Sequence, residues 1–421
     1  MRKILPWLCL VGVLIGVTLA QNTGLKGELT VWGWKGSLDG LRVLNEDFAK
    51  AYPNIKLTFV QRPALDTYQQ LQLAIAAGSG APDVTVVEDA LLPKFIDLGA
   101  FADITQQVSP LAKQLNRFKL KIATSEGKVY AMPWDSGPVV LYYRRDLFQK
   151  SGVDPTSLKT WDDLYRAGAT IKSKTGARLF PLAKARNDAR MFETFLWQQG
   201  LGYTNAKGAV ILDKDPRITR TLEYFGKLYK GDLVADIESW TDPYYKAISE
   251  GEVATLPMAA WMGGFLKGWI APKAVGQWGV VQLPTFGGVV SRASNDGGSQ
   301  LAILQQSKNK DLAWAYVQFA LGRPESQLKM FESKDLFPAL ESTYSSAVFN
   351  QPDPYFGNQS VRQTYAQVVK TVPTATVYCS DYQEMNALLM TELQKFALGQ
   401  QNAATTLKNA AQKIRERTRR P

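Results

Sequence analysis

The chain predicts an α/β fold built as two lobes, and three observations point there. Short apolar strands alternate with helical patterns along the whole sequence. Aromatic and acidic residues fall directly after several of those strands. No Ser/Gly-rich linker, low-complexity tract or repeat divides a chain of 421 residues, a length that predicts two or three domains. Two lobes that share the chain discontinuously explain the missing linker.

Taken in order, Glu28–Trp32 reads as a strand, and Leu41, Leu44, Phe48 and Ala51 recur at helical spacing until Pro53 stops them. Ile55, Leu57 and Phe59 alternate as a second strand. A helix over Tyr68–Ala77 ends at Gly78-Ser79-Gly80, and Pro82–Val87 follows as a buried strand before a short helix from Leu91 to Leu98. This rhythm implies a parallel sheet covered on both faces. Lys128–Asp146 reads as a short strand, a Pro-Trp-Asp corner and an apolar strand, because Pro133 and Pro138 cannot donate ladder hydrogen bonds. Thr160–Asp163 has the form of a capping box, with Leu164, Ala167 and Ile171 on the helix behind it. Asp215-Pro216 and Asp242-Pro243 each read as an N-cap followed by proline at the first helical position. Val253–Leu256, Trp278–Leu283 and Leu301–Leu304 are short strands, and 312–319 and 385–396 are amphipathic helices.

The amino terminus carries a basic head (Arg2, Lys3), an apolar stretch from Ile4 to Val17, and Thr18-Leu19-Ala20 with small residues where a leader peptidase cuts. The expectation is a leader over residues 1–20 and a periplasmic or secreted product. The apolar stretch is short for a membrane span, and Cys9 lacks the small residue before it that lipid attachment needs. With the leader removed only Cys379 remains, so no intramolecular disulfide can form.

There is no histidine. That excludes Ser-His-Asp and Cys-His catalysis and the usual zinc sites, leaving carboxylate pairs, lysine chemistry, oxygen-ligated metals or no catalysis. The net charge of +11, or +9 without Arg2 and Lys3, invites a nucleic-acid reading. Yet the basic residues are scattered, and the one dense cluster, Arg415–Arg420, reads as a solvated end. No nucleic-acid partner, metal, cofactor or catalytic residue is expected, and the protein is expected to be a monomer.

The order of Leu29–Trp34, Gly80–Val84, Lys128–Asp146, Gly251–Trp261, Gly279–Thr285 and Gly297-Gly298-Ser299 before Leu301–Leu304 resembles the extracellular solute-binding proteins of carbohydrate ABC transporters, the group that includes the maltodextrin-binding proteins. The resemblance spans nearly the whole mature chain. It implies a type II clamshell with the ligand between two α/β lobes, a carbohydrate as that ligand, and permease subunits as partners. Crossings are expected near Pro133–Pro138, near Pro284 and near Phe331–Pro338. The first lobe then holds 21–133 and 285–332, and the second holds 138–283 and 338–421.

Ligand sites in open α/β sheets lie at strand carboxyl ends, and the candidates follow from that rule. Trp34 and Lys35 follow the first strand; Trp32 and Trp34 share a face, one as core and the other as a platform. Glu88 and Asp89 end the third strand, with capping of the next helix as their plainer role. Trp134 and Asp135 form the corner, a flat apolar face beside an acceptor-only carboxylate, though a buried Trp beside a structural Asp cap is the plainer reading of such a pair taken alone. Trp261, with Gly263-Gly264 behind it, is by the resemblance a sugar-stacking ring. Asn295-Asp296-Gly297-Gly298 is a turn whose backbone can approach a ligand, or a plain loop; no Gly-Lys-Ser follows to make it a phosphate loop. Arg190, Trp197, Tyr244 and Tyr382 complete the set as cleft-edge residues, each with packing as the alternative. Two rivals remain: a secreted glycoside hydrolase using Glu88, Asp89 or Asp135, and the same clamshell holding a phosphate ester, polyamine or peptide. Lys35, Arg145 and Arg190 keep the anionic option open.

Overall fold

The computed structural model describes residues 24–185, 189–287, 291–374 and 378–421, so the expected leader over residues 1–20, with Cys9, lies outside the described residues. In chain order the strands are β1 (Gly27–Gly33), β2 (Ile55–Gln61), β3 (Val84–Glu88), a hairpin of β4 (Thr124–Ser125) and β5 (Lys128–Val129), and β6 (Met132–Pro133). They continue with β7 (Pro138–Arg144), β8 (Thr255–Ala259), β9 (Trp278–Val281), β10 (Ser294–Asn295) and β11 (Ser299–Ile303).

The first lobe is a five-stranded sheet in the order β2-β1-β3-β11-β6. β1 runs parallel to β2 and β3, while β11 lies antiparallel to both β3 and β6. The expected parallel sheet therefore holds only for the first three strands. β11 arrives from the other lobe rather than over a crossover helix, so it enters in the opposite direction. Side chains of β3 and β11 alternate between two cores: Val86 and Leu301 on one face, Val87 and Ala302 on the other. Burial on both faces is why β3 reads as a nearly continuous apolar run, with Thr85 its one polar member before Glu88. The helical pattern after β1 is two helices, Lys35–Arg42 and Asn45–Ala51.

The second lobe has an antiparallel sheet in which β7 pairs with β8, β9 and β10. Thr160 caps the helix Trp161–Thr175, its hydroxyl accepting from the Asp163 amide while the Asp163 carboxylate accepts from the Thr160 amide. Trp161 is buried and stacked on Phe195, with ring centroids 4.0 Å apart. Asp215 caps the helix Pro216–Lys230; Asp242, by contrast, is the first residue of its helix, and Thr241 holds the cap position.

Among the described residues three segments join the lobes. Residues 134–137 run from β6 to β7, and Ser136 and Ala339 tie this crossing to the one at 337–339 through backbone bonds to Phe337 (2.8 Å) and Trp134 (2.9 Å). The remaining crossing is displaced from its expected place near Pro284. Pro284 accepts from Gln198 at 2.6 Å, Thr285 pairs with Thr160, and Ser294 pairs with Val139, all inside the second lobe. The chain changes lobe only at Asp296–Gly298. Glycine is required there: a Cβ on Gly298, whose φ is +109°, would collide with Lys119 and the Asp135 backbone, and one on Gly137 would collide with the Asp296 backbone.

The basic end is not the solvated tail the sequence suggested. Arg415 pairs with Asp213, Arg417 with Glu384 and Arg420 with Asp381. The Pro421 carbonyl accepts from the Val210 amide at 2.8 Å. Acidic partners far away in sequence are what hold it. Among the described residues no helix is long and apolar enough to cross a membrane.

Candidate functional site: a cleft between the lobes

A cleft of about 1110 Å³ opens between the lobes. Its first-lobe wall is made of strand ends. Trp34, half-buried at the end of β1, leans on Tyr68 with centroids 6.2 Å apart, and the Tyr68 hydroxyl accepts from the Glu88 amide at 3.0 Å. Trp32 is buried beneath the Arg62 guanidinium, so Trp34 is the one that faces the cleft.

Neither Glu88 nor Asp89 caps a helix, since the next one is Leu92–Asp97 with Leu91 before it. Asp89 is sealed in an ion pair with Lys119 and accepts from Gln300 Nε2 at 3.1 Å. Burial, against the pull of Lys119, pushes its carboxyl up to about 6. Glu88 opens to the cleft, and the enclosure around it pushes its carboxyl upward too. Asp135 is 8% exposed and its Oδ1 accepts from the Ser299 amide at 2.8 Å, which locks two crossings together. Trp134 touches the cleft but is only 2% exposed and belongs to the first-lobe core; its corner buries the indole behind the sheet, so it offers no open face for stacking.

The second-lobe wall is aromatic. Trp240, Trp261, Phe265 and Trp269 follow one another with centroids 5.7, 5.5 and 5.7 Å apart. Trp261 stands at the start of the helix Met262–Phe265 and donates its indole N–H to the Asp296 carbonyl at 3.0 Å. That bond anchors the edge of the ring on the crossing. Phe265 and Trp269 are 38% and 50% exposed, the latter on a π-helical turn (Leu266–Ile270) that continues the helix. Trp240 holds φ at +67°, a conformation uncommon for a bulky side chain and costing about 1–3 kcal/mol. Tyr244 packs against it at 5.6 Å.

Deeper in this wall Arg190 donates to Asp296 Oδ1 at 2.7 Å. Glu193, 3% exposed, accepts from Tyr203 (2.5 Å), Tyr382 (2.7 Å) and Asn386 (3.1 Å), all on one oxygen. Burial raises its carboxyl despite those donors. Trp197 is 3% exposed and meets Tyr378 edge-on; it lines the cleft only from within the core.

The cleft thus brings together Trp34, Glu88, Asp89, Trp134, Asp135, Arg190, Trp197, Trp261, Asp296, Gly297, Gly298 and Tyr382. Three candidates lie off it. Lys35 is exposed and pairs with Asp39 one helical turn on. Tyr244 is buried behind Trp240. Asn295 shapes the crossing, accepting from the Gly137 amide and donating to the Gly297 carbonyl. Arg145 is bonded to the carbonyls of Trp278 and Phe356, outside the cleft. Trp240, Glu193, Phe265, Trp269 and Asn386 were missed. Only Glu193 left a signal in the sequence, a charge inside the apolar run Phe192–Trp197. Among the described residues no group of three or more Cys, Asp or Glu is placed to hold a metal ion.

Two α/β lobes, three crossings and a ligand-sized cleft between them define a clamshell binding protein. Residues 35–326 match the family model described as bacterial extracellular solute-binding protein, and the chain belongs to that family. It is similar to a lactose-binding protein of Rhizobium radiobacter, 27% identical with 84% of this chain and 85% of that one covered. It is also similar to an arabinooligosaccharide-binding protein of Bacillus subtilis (strain 168), 27% identical over 82% and 81% of the two chains. Among solved structures, the ABC transporter associated binding protein from B. animalis subsp. lactis Bl-04, in complex with β-1,6-galactobiose, superposes with a TM-score of 0.77. That pair is 27% identical over 93% of this chain and 97% of the other.

Proposed function

We propose that the protein is the extracytoplasmic solute-binding component of an ABC importer and captures a mono- or oligosaccharide by closure of its lobes. The observation that carries this reading is the meeting, in one interlobe cleft, of an aromatic wall with carboxylates at strand ends. Sugar rings offer apolar faces to the former and hydroxyl donors to the latter. The succession of rings favours a ligand longer than one sugar unit. Relatives that bind lactose and arabino-oligosaccharides support the same class. A leader ending near Ala20 would deliver the chain to the periplasm or outside, where it would hand its cargo, as a monomer, to permease subunits.

The family is one of binding proteins, and no bond need break in the cargo. Of the carboxylates a hydrolase would draw on, Asp89 and Asp135 are committed to Lys119 and the Ser299 amide. Ligand binding is tested by thermal unfolding of residues 21–421 with a panel of neutral sugars, and with glycerol phosphates and polyamines as controls. A sugar at one hundred times its Kd stabilises by about 2.7 kcal/mol, and chromatography of the incubated sugar should show it intact. Stabilisation by glycerol phosphate or spermidine alone, or appearance of a cleavage product, would refute the reading.

A further inference from the structure

The charge of the cleft runs against the charge of the chain. The sequence carries +11, yet among the described residues seven carboxylates and only three cations line the cleft. Two of the three cations are already matched: Arg190 by Asp296 at 2.7 Å, and Lys267 by Asp335 at 3.3 Å and Asp353 at 3.1 Å. Lys334 is exposed in the last turn of the helix Pro324–Lys334, bathed by solvent.

Two carboxylates, in contrast, keep acceptor capacity. Glu193 takes three donated bonds on Oε1, and no described residue donates to Oε2. Glu193 lines the cleft while only 3% exposed. Three donors on one oxygen hold the side chain in a single orientation and leave the other without a described donor. Glu88 stands on the opposite wall, at the end of β3, and its carboxylate receives no hydrogen bond or ion pair from any described residue. Arg190 lines the same cleft as both carboxylates.

We propose that Glu88 and Glu193, one from each lobe, accept hydroxyl hydrogen bonds from a neutral saccharide and exclude saccharides that carry a carboxylate. The proposal rests on the saccharide reading above and narrows its ligand class. Ionised carboxylates can only accept, and sugar hydroxyls are the donors that satisfy them. A uronate brings a further acceptor-only anion into a cleft already rich in carboxylates, where among the described lining cations only the exposed Lys334 is unmatched, so repulsion works against that ligand.

Isothermal titration of residues 21–421 with lactose, β-1,6-galactobiose and arabinotriose, beside digalacturonate at equal ionic strength, tests this. At least one neutral sugar should bind, with digalacturonate at least tenfold weaker. Glu193→Gln and Glu88→Gln should each weaken the neutral sugar about tenfold and shrink the neutral-to-uronate ratio, because an amide can donate to the uronate. Glu88→Gln disturbs no internal bond and keeps the test valid should Glu193→Gln fail to fold. A ratio unchanged in either variant overturns that residue's role. Digalacturonate matching the best neutral sugar overturns the charge selection and leaves the saccharide reading standing, whereas silence from every sugar overturns both.

Discussion

The first-lobe wall of the cleft is made of strand ends whose polar groups are largely spoken for, while the second-lobe wall is a succession of rings on short helices with open faces. Asp89 and Asp135 spend their oxygens on Lys119, Gln300 and the Ser299 amide. Trp261 spends only its N–H, on the Asp296 carbonyl. The contrast separates two tasks. Paired carboxylates hold the geometry of the crossings, and aromatic faces supply area that a ligand can cover. Arg190, with its side chain 42% exposed, and the buried Glu193 belong to the ring-bearing lobe, so that wall also carries directional groups.

Breaking the first wall should have the larger effect. Lys119→Met leaves Asp89 buried without its cation, which costs roughly 3–5 kcal/mol, seen as a clear fall in urea or thermal midpoint. A loss below about 1 kcal/mol would mean that the pair does not hold the floor of the cleft. Breaking the second wall should spare the fold and cost affinity instead. Trp261→Ala should weaken a bound saccharide by about 2 kcal/mol, near thirtyfold in Kd by titration calorimetry, with the far-ultraviolet dichroism unchanged. Trp269→Ala sharpens the comparison at the mouth, where the ring is half-exposed. Its cost should stay under about 1 kcal/mol, and should vanish for a disaccharide too short to reach it. An equal loss at Trp261 and Trp269 would argue against a graded wall.

The architecture was largely legible because its signals are local. β1, β3 and β7 announce themselves by apolar runs, and Thr160 and Asp215 by capping chemistry that depends on a few adjacent residues. The direction of β11 was not legible. It depends on a return from the other lobe, which no short window encodes. The crossing misplaced at Pro284 failed for a related reason: proline marks a break in a sheet, whereas the change of lobe is fixed by close backbone approaches at Gly137 and Gly298. In the site, residues directly after strands could be nominated from sequence, and Glu88 and Trp34 do line the cleft. Trp240 could not, because it sits in a loop without periodicity and reaches the cleft through a left-handed backbone. Asn386 reaches it from the helix Tyr382–Ala397, almost two hundred positions from its partner Glu193.

One saccharide should be held between the two walls at once. A crystal structure of residues 21–421 with the best sugar of the panel tests it most directly. A sugar ring should lie within about 4 Å of the Trp261 face, with its hydroxyls donating to Glu88 from one lobe and to Glu193 from the other. A sugar seated outside the cleft, or touching one wall while the lobes stay apart, would contradict it.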